Sequence, residues 1–272
     1  MNHRDFKPAQ RHIKLMGILI AFLLAGTVPL AEGARWRATA PVFPPNSNPY
    51  GHTYGEWSAI YFDTEFRTVW DPEACSSGRI GNVELLQSNF GGPGMWECEV
   101  PPGTAFLVNV VTAFFLCPTD CGPDGAAPNG TPEEIQAAAQ DAIDSLPTIG
   151  YILECDIDGV PVQNVWSYRA QSPVFYGEIV EGCVFNAVAP EFFPPGPYGP
   201  AATDGFMVMV QPLPEGEHEI HFRAVIGTSF PEPLFETEVT HHVTVVPGGL
   251  GRDADALAVE PTTWGAIKAS YR

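Results

Sequence analysis

The chain reads as a mainly β protein, an antiparallel β-sandwich of Ig-like or jelly-roll-like type with two short helical segments. Three observations predict this. Short β-branched and aromatic runs recur over residues 83–246, separated by Gly/Pro turns. The last of them alternates: Thr237, Val239, His241, Val243 and Val245 share one face, and Glu236, Glu238, Thr240, His242 and Thr244 the other. Gly and Pro number 27 and 28 of 272 residues and charged residues make up only 17%, which excludes a long coiled coil. A hydrophobic content of 45% likewise excludes a disordered chain.

The first element is a leader. Arg4, Lys7, Arg11 and Lys14 precede an apolar run over 15–25 that Gly26 and Pro29 interrupt. A basic flank and a core this short predict a secretory signal peptide over 1–33, the alternative being an uncleaved N-terminal anchor. The mature protein is then secreted, periplasmic or extracellular. Residues 34–50 are Pro/Asn-rich and read as a leader to a single domain over 51–246.

A helix follows. Thr53 and Glu56 form a capping box, Tyr54, Trp57, Ile60, Tyr61, Val69 and Trp70 recur at helical spacing, and Pro72 stops the pattern. Asp63 and Arg67 are an i,i+4 pair on its polar side. Strands are predicted over 83–90, 95–100 and 104–116, the third apolar enough to be buried on both faces. The second helix starts at Thr131, with Pro132 at its first position and Glu134 completing a capping box. Ile135, Ala138, Ala139, Ala142, Ile143 and Leu146 form its apolar face, and Pro147 ends it.

In the C-terminal half, strands over 152–156 and 162–168 flank the hairpin turn Asp158-Gly159. Strands over 206–210 and 218–225 flank 212–216, and 235–246 is the last. Residues 247–272 are a Pro/Gly and acidic linker with an aromatic, weakly basic end, Thr262 to Arg272, which reads either as a frayed terminus or as a tail recognised by sorting machinery.

All six cysteines lie in the exported part, an even number that predicts disulfides. Sequential pairing gives Cys75–Cys98, Cys117–Cys121 and Cys155–Cys183. The Cys117/Cys121 spacing, with no His nearby, does not suit zinc.

Charge narrows the partners. Totals of 13 basic and 32 acidic residues, less the four basic and two acidic ones of 1–33, leave a net charge of −21. Such a surface argues against nucleic acid and can attract divalent cations. The GxSxG, GxGxxG, phosphate-loop and HExxH patterns are absent. His218-Glu219-Ile220-His221 falls on a strand, so its two histidines face opposite ways.

His221 and His242, on outward strand faces with Glu238, are candidate ligands for a divalent cation. Asp156 and Asp158 resemble part of a calcium loop, although the hairpin turn explains the same residues. Glu56, Asp63 and Glu65 on the first helix, with Arg169, are candidates for acid–base catalysis. Arg169, a rare cation among aromatic neighbours, also suits an ion pair with one specific carboxylate. Tyr50, Tyr54, Trp57, Tyr61, Trp96 and Trp166 suit the core or a sugar-stacking surface.

Four segments carry a resemblance: Tyr54-Gly55-Glu56-Trp57-Ser58-Ala59; Cys98-Glu99-Val100-Pro101-Pro102-Gly103-Thr104-Ala105; Asp156 to Val162 with Tyr168 to Pro173; and Thr203-Asp204-Gly205 with Pro212 to His218. In order and spacing they resemble an uncharacterised family of secreted bacterial proteins with no assigned activity. That family usually has paired tryptophans where this chain has Tyr61 and Phe62, and Lys where it has Thr104. The resemblance implies export and one domain. The tail is similar to C-terminal tails of other exported bacterial proteins.

The sequence thus points to a secreted, disulfide-stabilised, acidic binding or structural protein of the cell envelope or extracellular space. Its partner would be a carbohydrate, an envelope component or a protein. The alternatives are a secreted hydrolase with a carboxylate pair or metal, and an extracellular cation-binding module.

Overall fold

A computed structural model describes residues 39–118 and 130–247. The expected signal peptide, the start of the leader, Cys121 and the C-terminal tail lie outside the described residues. In chain order the elements are α1 (Tyr54–Arg67), β1 (Ser76–Ile80), β2 (Val83–Leu86), β3 (Gly92–Val100), β4 (Ala105–Pro118), α2 (Pro132–Asp144) and α3 (Leu146–Ile149). Then come β5 (Tyr151–Ile157), β6 (Val160–Pro161), β7 (Arg169–Gln171), β8 (Phe175–Ile179), α4 (Val184–Val188), β9 (Gly196–Val210), β10 (Gly216–Ile226) and β11 (Phe235–Val245).

The strands form a β-sandwich. One sheet runs β1-β2-β4-β9-β7, with β8 beside the first half of β9, and the other β3-β11-β10-β5-β6. Most neighbours are antiparallel, but β2 pairs with β4, and β11 with β3, in parallel. The chain leaves the first sheet after β2 and returns as β4 once β3 has joined the second, so β2 and β4 point the same way. The alternation read in β11 holds: Thr237, Val239, His241, Val243 and Val245 are buried. Among the described residues no helix is long and apolar enough to cross a membrane.

The capping box of α1 forms as its sequence dictates. The Glu56 amide donates to Thr53 Oγ1 (3.2 Å), and the Thr53 amide to Glu56 Oε2 (2.9 Å). Thr53→Ala should therefore cost about 1 kcal/mol, read as a drop in the urea midpoint at unchanged slope; a loss below about 0.3 kcal/mol would show that packing alone holds this end. The helix stops at Arg67, and Val69, expected within it, instead bridges to Cys183. Nearly every side of α1 is buried, because β1, β7, β8, β9 and α4 surround it.

Several expectations need correction. Residues 162–168 form no strand; Asn164 takes a left-handed backbone and starts a 3-10 turn over Val165–Tyr168. The strand expected over 206–210 starts ten residues earlier, in a Gly/Pro-rich stretch whose pairing with β8 overrides its composition. β1, β7, β8 and α4 carry no periodic signal of their own.

The leader is also bound to the domain where it is described. The Phe43 amide donates to the Met209 carbonyl (2.9 Å) and the Gln211 amide to the Pro41 carbonyl (2.7 Å). Its prolines hold it extended, which suits pairing with the end of β9.

Cys75 and Cys98 form the expected disulfide, with Cα atoms 5.5 Å apart, tying the approach to β1 in one sheet to β3 in the other. The Cys155–Cys183 pair does not form, and both are buried free thiols. Their neighbourhoods differ: Cys155 lies in β5 near Tyr168, whereas Cys183 caps α4 near Glu65. Burial raises both thiol pKa values, Cys155 the more, which keeps them protonated.

Candidate functional site

Between the two sheets, where α1 and α4 close one end, lies a cavity of about 210 Å³. Tyr61, Phe62 and Glu65 enter it from α1, Phe185 from α4, Phe222 from β10, and Phe235 and Thr237 from β11. The loop after β2 adds Ser88, Asn89 and Phe90. β4 contributes Asn109, Val110, Val111, Thr112 and Phe114. Consecutive residues of one strand ordinarily alternate faces, but a bulge between Asn109 and Val111 breaks the alternation and turns this stretch inward. Seven aromatic rings thus surround the space.

Glu65 is the acidic group of this wall. Tyr61 and Glu65 stand four residues apart, on one side of α1. The Ser77 hydroxyl donates to Glu65 Oε1, while the Tyr61 hydroxyl beside it donates to the Leu86 carbonyl (3.0 Å). Burial raises the Glu65 pKa to about 7, against the smaller opposing effect of the two hydroxyls. Burial also pushes Tyr61 well above its ordinary value. Glu65 further lines a second cavity of about 100 Å³, shared with Thr68, Trp70, Asp71, Ser77 and Gln87. Thr68 Oγ1 is buried there without a hydrogen-bond partner.

The other catalytic candidates do not join Glu65. Glu56 is spent in the cap. Asp63 lies on another side of α1, where Arg67 Nε donates to it at 2.8 Å and the Tyr198 hydroxyl at 3.0 Å. Arg169 grips Asp204 through two parallel hydrogen bonds of 2.9 and 2.8 Å and reaches Asp144 at 2.6 Å. It is thus the ion-pair residue that its setting suggested.

The cation-binding candidates share the outer face of the second sheet. His221 stands between two carboxylates, its Nδ1 2.9 Å from Asp156 and its Nε2 3.3 Å from Glu238. Burial lowers its pKa, but the two carboxylates outweigh that and raise it. His242 lies 3.9 Å from Glu219. Asp158 accepts the Glu219 amide (2.9 Å) and meets His218 (2.8 Å), tying the β5–β6 turn to β10. Among the described residues no group of three or more His, Cys, Asp or Glu side chains is placed to hold a metal ion.

The aromatic candidates are mostly structural. Tyr54, Trp57 and Tyr61 are buried, Trp96 stacks on His241, and Trp166 stacks on Tyr151; Tyr50 is exposed. Burial takes Tyr54, Trp57 and Tyr61 out of any sugar-stacking surface, while Trp96 and Trp166 are half-buried.

Three of the four segments that carried the family resemblance, all but the one starting at Cys98, meet in two junctions. In one, Ser58 and Thr203 hydroxyls lie 2.6 Å apart, Ser172 bonds Thr203 through backbone and side chain, and Arg169 holds Asp204. Gly55 belongs there because a Cβ would sit 2.2 Å from the Gln171 carbonyl oxygen. In the other, Asp158 meets His218 and Glu219. These motifs hold elements together and lie apart from the cavity lining.

No protein-family model and no curated protein matches the chain. A chain from the structure of PbICP-C in complex with falcipain-2 is similar over 61% of this chain and 100% of that one, at 12% identity and a TM-score of 0.23. The cavity itself escaped sequence reading because its lining comes from α1, β4, α4, β10 and β11. The one local signal was an ionisable Glu65 within the aromatic run Tyr61 to Phe66.

Proposed function

We propose that the chain is a secreted binding protein of the bacterial cell envelope or extracellular space that takes a small molecule into the cavity between its sheets. The observation that carries this reading is the cavity: seven aromatic rings with one buried carboxyl and several neutral polar side chains, a mainly apolar lining with polar groups to orient a small ligand. The disulfide, the basic-apolar leader and the acidic composition support export. The resemblance to secreted bacterial proteins agrees with it, and 247–272 would then be the segment read by sorting machinery.

An apolar cavity of about 150 Å³ takes benzene. A space of about 210 Å³ therefore suits one ring with a short substituent. Indole is the probe. Titrated into the isotope-labelled chain, it should shift amide resonances of 109–114, 61–65 and 185 with a sub-millimolar midpoint. If 5 mM indole, roughly the concentration that would detect a dissociation constant in the millimolar range, leaves those resonances unmoved, the cavity is not a binding site.

A further inference from the structure

Glu65 is an anion-forming group buried without a counter-ion. Among the described residues the arginines pair elsewhere: Arg67 with Asp63, Arg79 with Glu84, Arg169 with Asp144 and Asp204, Arg223 with Glu154 and Glu236. The partners of Glu65 are hydroxyls, and Tyr61 spends its proton on Leu86. A carboxylate accepts about four hydrogen bonds, so acceptor capacity is left facing the cavity. The cavity walls add a second preference. Aromatic faces carry negative charge density and attract cations, most strongly where water is excluded. The chain as a whole, at net −19, concentrates cations and repels anions.

We propose that the ligand is a small organic cation, an ammonium group on one aromatic or branched aliphatic body. Its nitrogen sits against Glu65 and its hydrocarbon among Phe62, Phe114 and Phe222. This rests on the binding reading above and names the ligand class. The ammonium supplies the counter-charge that the fold withholds. Bound, it holds Glu65 ionised, so at neutral pH binding releases protons.

The pH dependence follows from the groups around Glu65. On α1 the titratable neighbour is Tyr61, with Asp63 and Arg67 on another flank; on α4 it is Cys183; across the smaller cavity it is Asp71. β1 presents Ser77, β10 Phe222 and β11 Phe235 and Thr237, none of which titrates. Burial keeps Tyr61 and Cys183 neutral, so between pH 5.5 and 8 Glu65 is the group that switches.

Isothermal titration of the full chain with 2-phenylethylammonium, 2-phenylethanol and phenylacetate tests the proposal. The ammonium should bind at pH 8 at least tenfold more tightly than the alcohol, and phenylacetate weakest. Its affinity should fall by about 30-fold between pH 8 and 5.5, as the ionised fraction of Glu65 falls. Glu65→Gln should abolish the preference for the ammonium and keep the alcohol. Alcohol binding equal to the ammonium, or no pH dependence in the unaltered chain, overturns the cation assignment while leaving the cavity a binding site. Failure of the ammonium and of indole together overturns both. The pH series needs no variant, so it decides the matter even if Glu65→Gln misfolds.

Discussion

Replacing Arg169 with methionine should destabilise the chain by about 3 kcal/mol. The guanidinium holds both oxygens of Asp204, whose side chain is only 3% exposed. Nη2 also reaches the Gln140 carbonyl at 3.4 Å, and Nη1 the Asp144 carboxylate, so the same fork clamps α2 onto β7 and β9. Hydrogen bonds to Asp204 and Asp144 raise the Arg169 pKa further and outweigh burial. Methionine keeps the side-chain length and removes the charge, leaving Asp204 an uncompensated buried carboxylate.

The double variant Arg169→Met with Asp204→Leu should recover at least half of the loss, because no lone charge remains. Arg169→Lys should fall between, since a lysine cannot make the two-pronged contact. Urea unfolding at pH 7 measures all three. A single-variant loss under about 1 kcal/mol, or a double variant no better than the single, would show that the pair adds little beyond packing.

The second large effect is on pH dependence, where two buried groups act in opposite directions over one window. His241 is enclosed between Trp96 and Phe222, with Nε2 2.9 Å from the Gln87 carbonyl. Burial lowers its pKa to about 4; the Gln87 carbonyl opposes this and nearby His242 adds to it. An unfolded histidine takes a proton near 6.5. The stability held by neutral His241 is therefore intact above pH 6.5 and is lost as pH falls through 4.

Glu65 behaves in the reverse sense. Folded, it keeps its proton to about pH 7, whereas unfolded it releases it near 4.5. Its contribution is full below pH 4.5 and is lost as pH rises through 7. Each group moves stability by about 3 kcal/mol across its window. The two nearly cancel in the unaltered chain, so single variants expose them. Glu65→Gln should gain about 3 kcal/mol on the unaltered chain between pH 4.5 and 7.5, and His241→Phe should gain a similar amount between pH 6.5 and 4. Urea midpoints every half pH unit give both differences. A Glu65→Gln difference that stays constant from pH 4 to 8 would remove Glu65 as a buried titrating group.

The same residues show how far local sequence reaches. Thr53 with Glu56 and Thr131 with Glu134 are legible because a capping box spans three residues and needs nothing from elsewhere. The Asp158-Gly159 turn is legible for the same reason, and the inward face of β11 because its period is two. The Cys75–Cys98 link follows from sequential pairing over a short separation, but Cys155 and Cys183 show that parity alone does not pair cysteines.

Other features depend on contacts far apart in the chain. Gly196 to Ala201 is a strand because β8 lies beside it, and α1 is buried nearly all round because β1, β7, β8, β9 and α4 close over it. Sequence by itself determined the sandwich class, the two capped helices, the acidity and the carboxylates worth inspecting, since periodicity, caps and charge are local or additive. Only the tertiary structure decided which carboxylate lines the cavity. Glu56, Asp63 and Glu65 share one helix and one side-chain chemistry or nearly so, but a cap holds the first and Arg67 the second. Glu65 alone faces an aromatic cavity assembled from five distant elements, where burial without a counter-ion changes what its proton does.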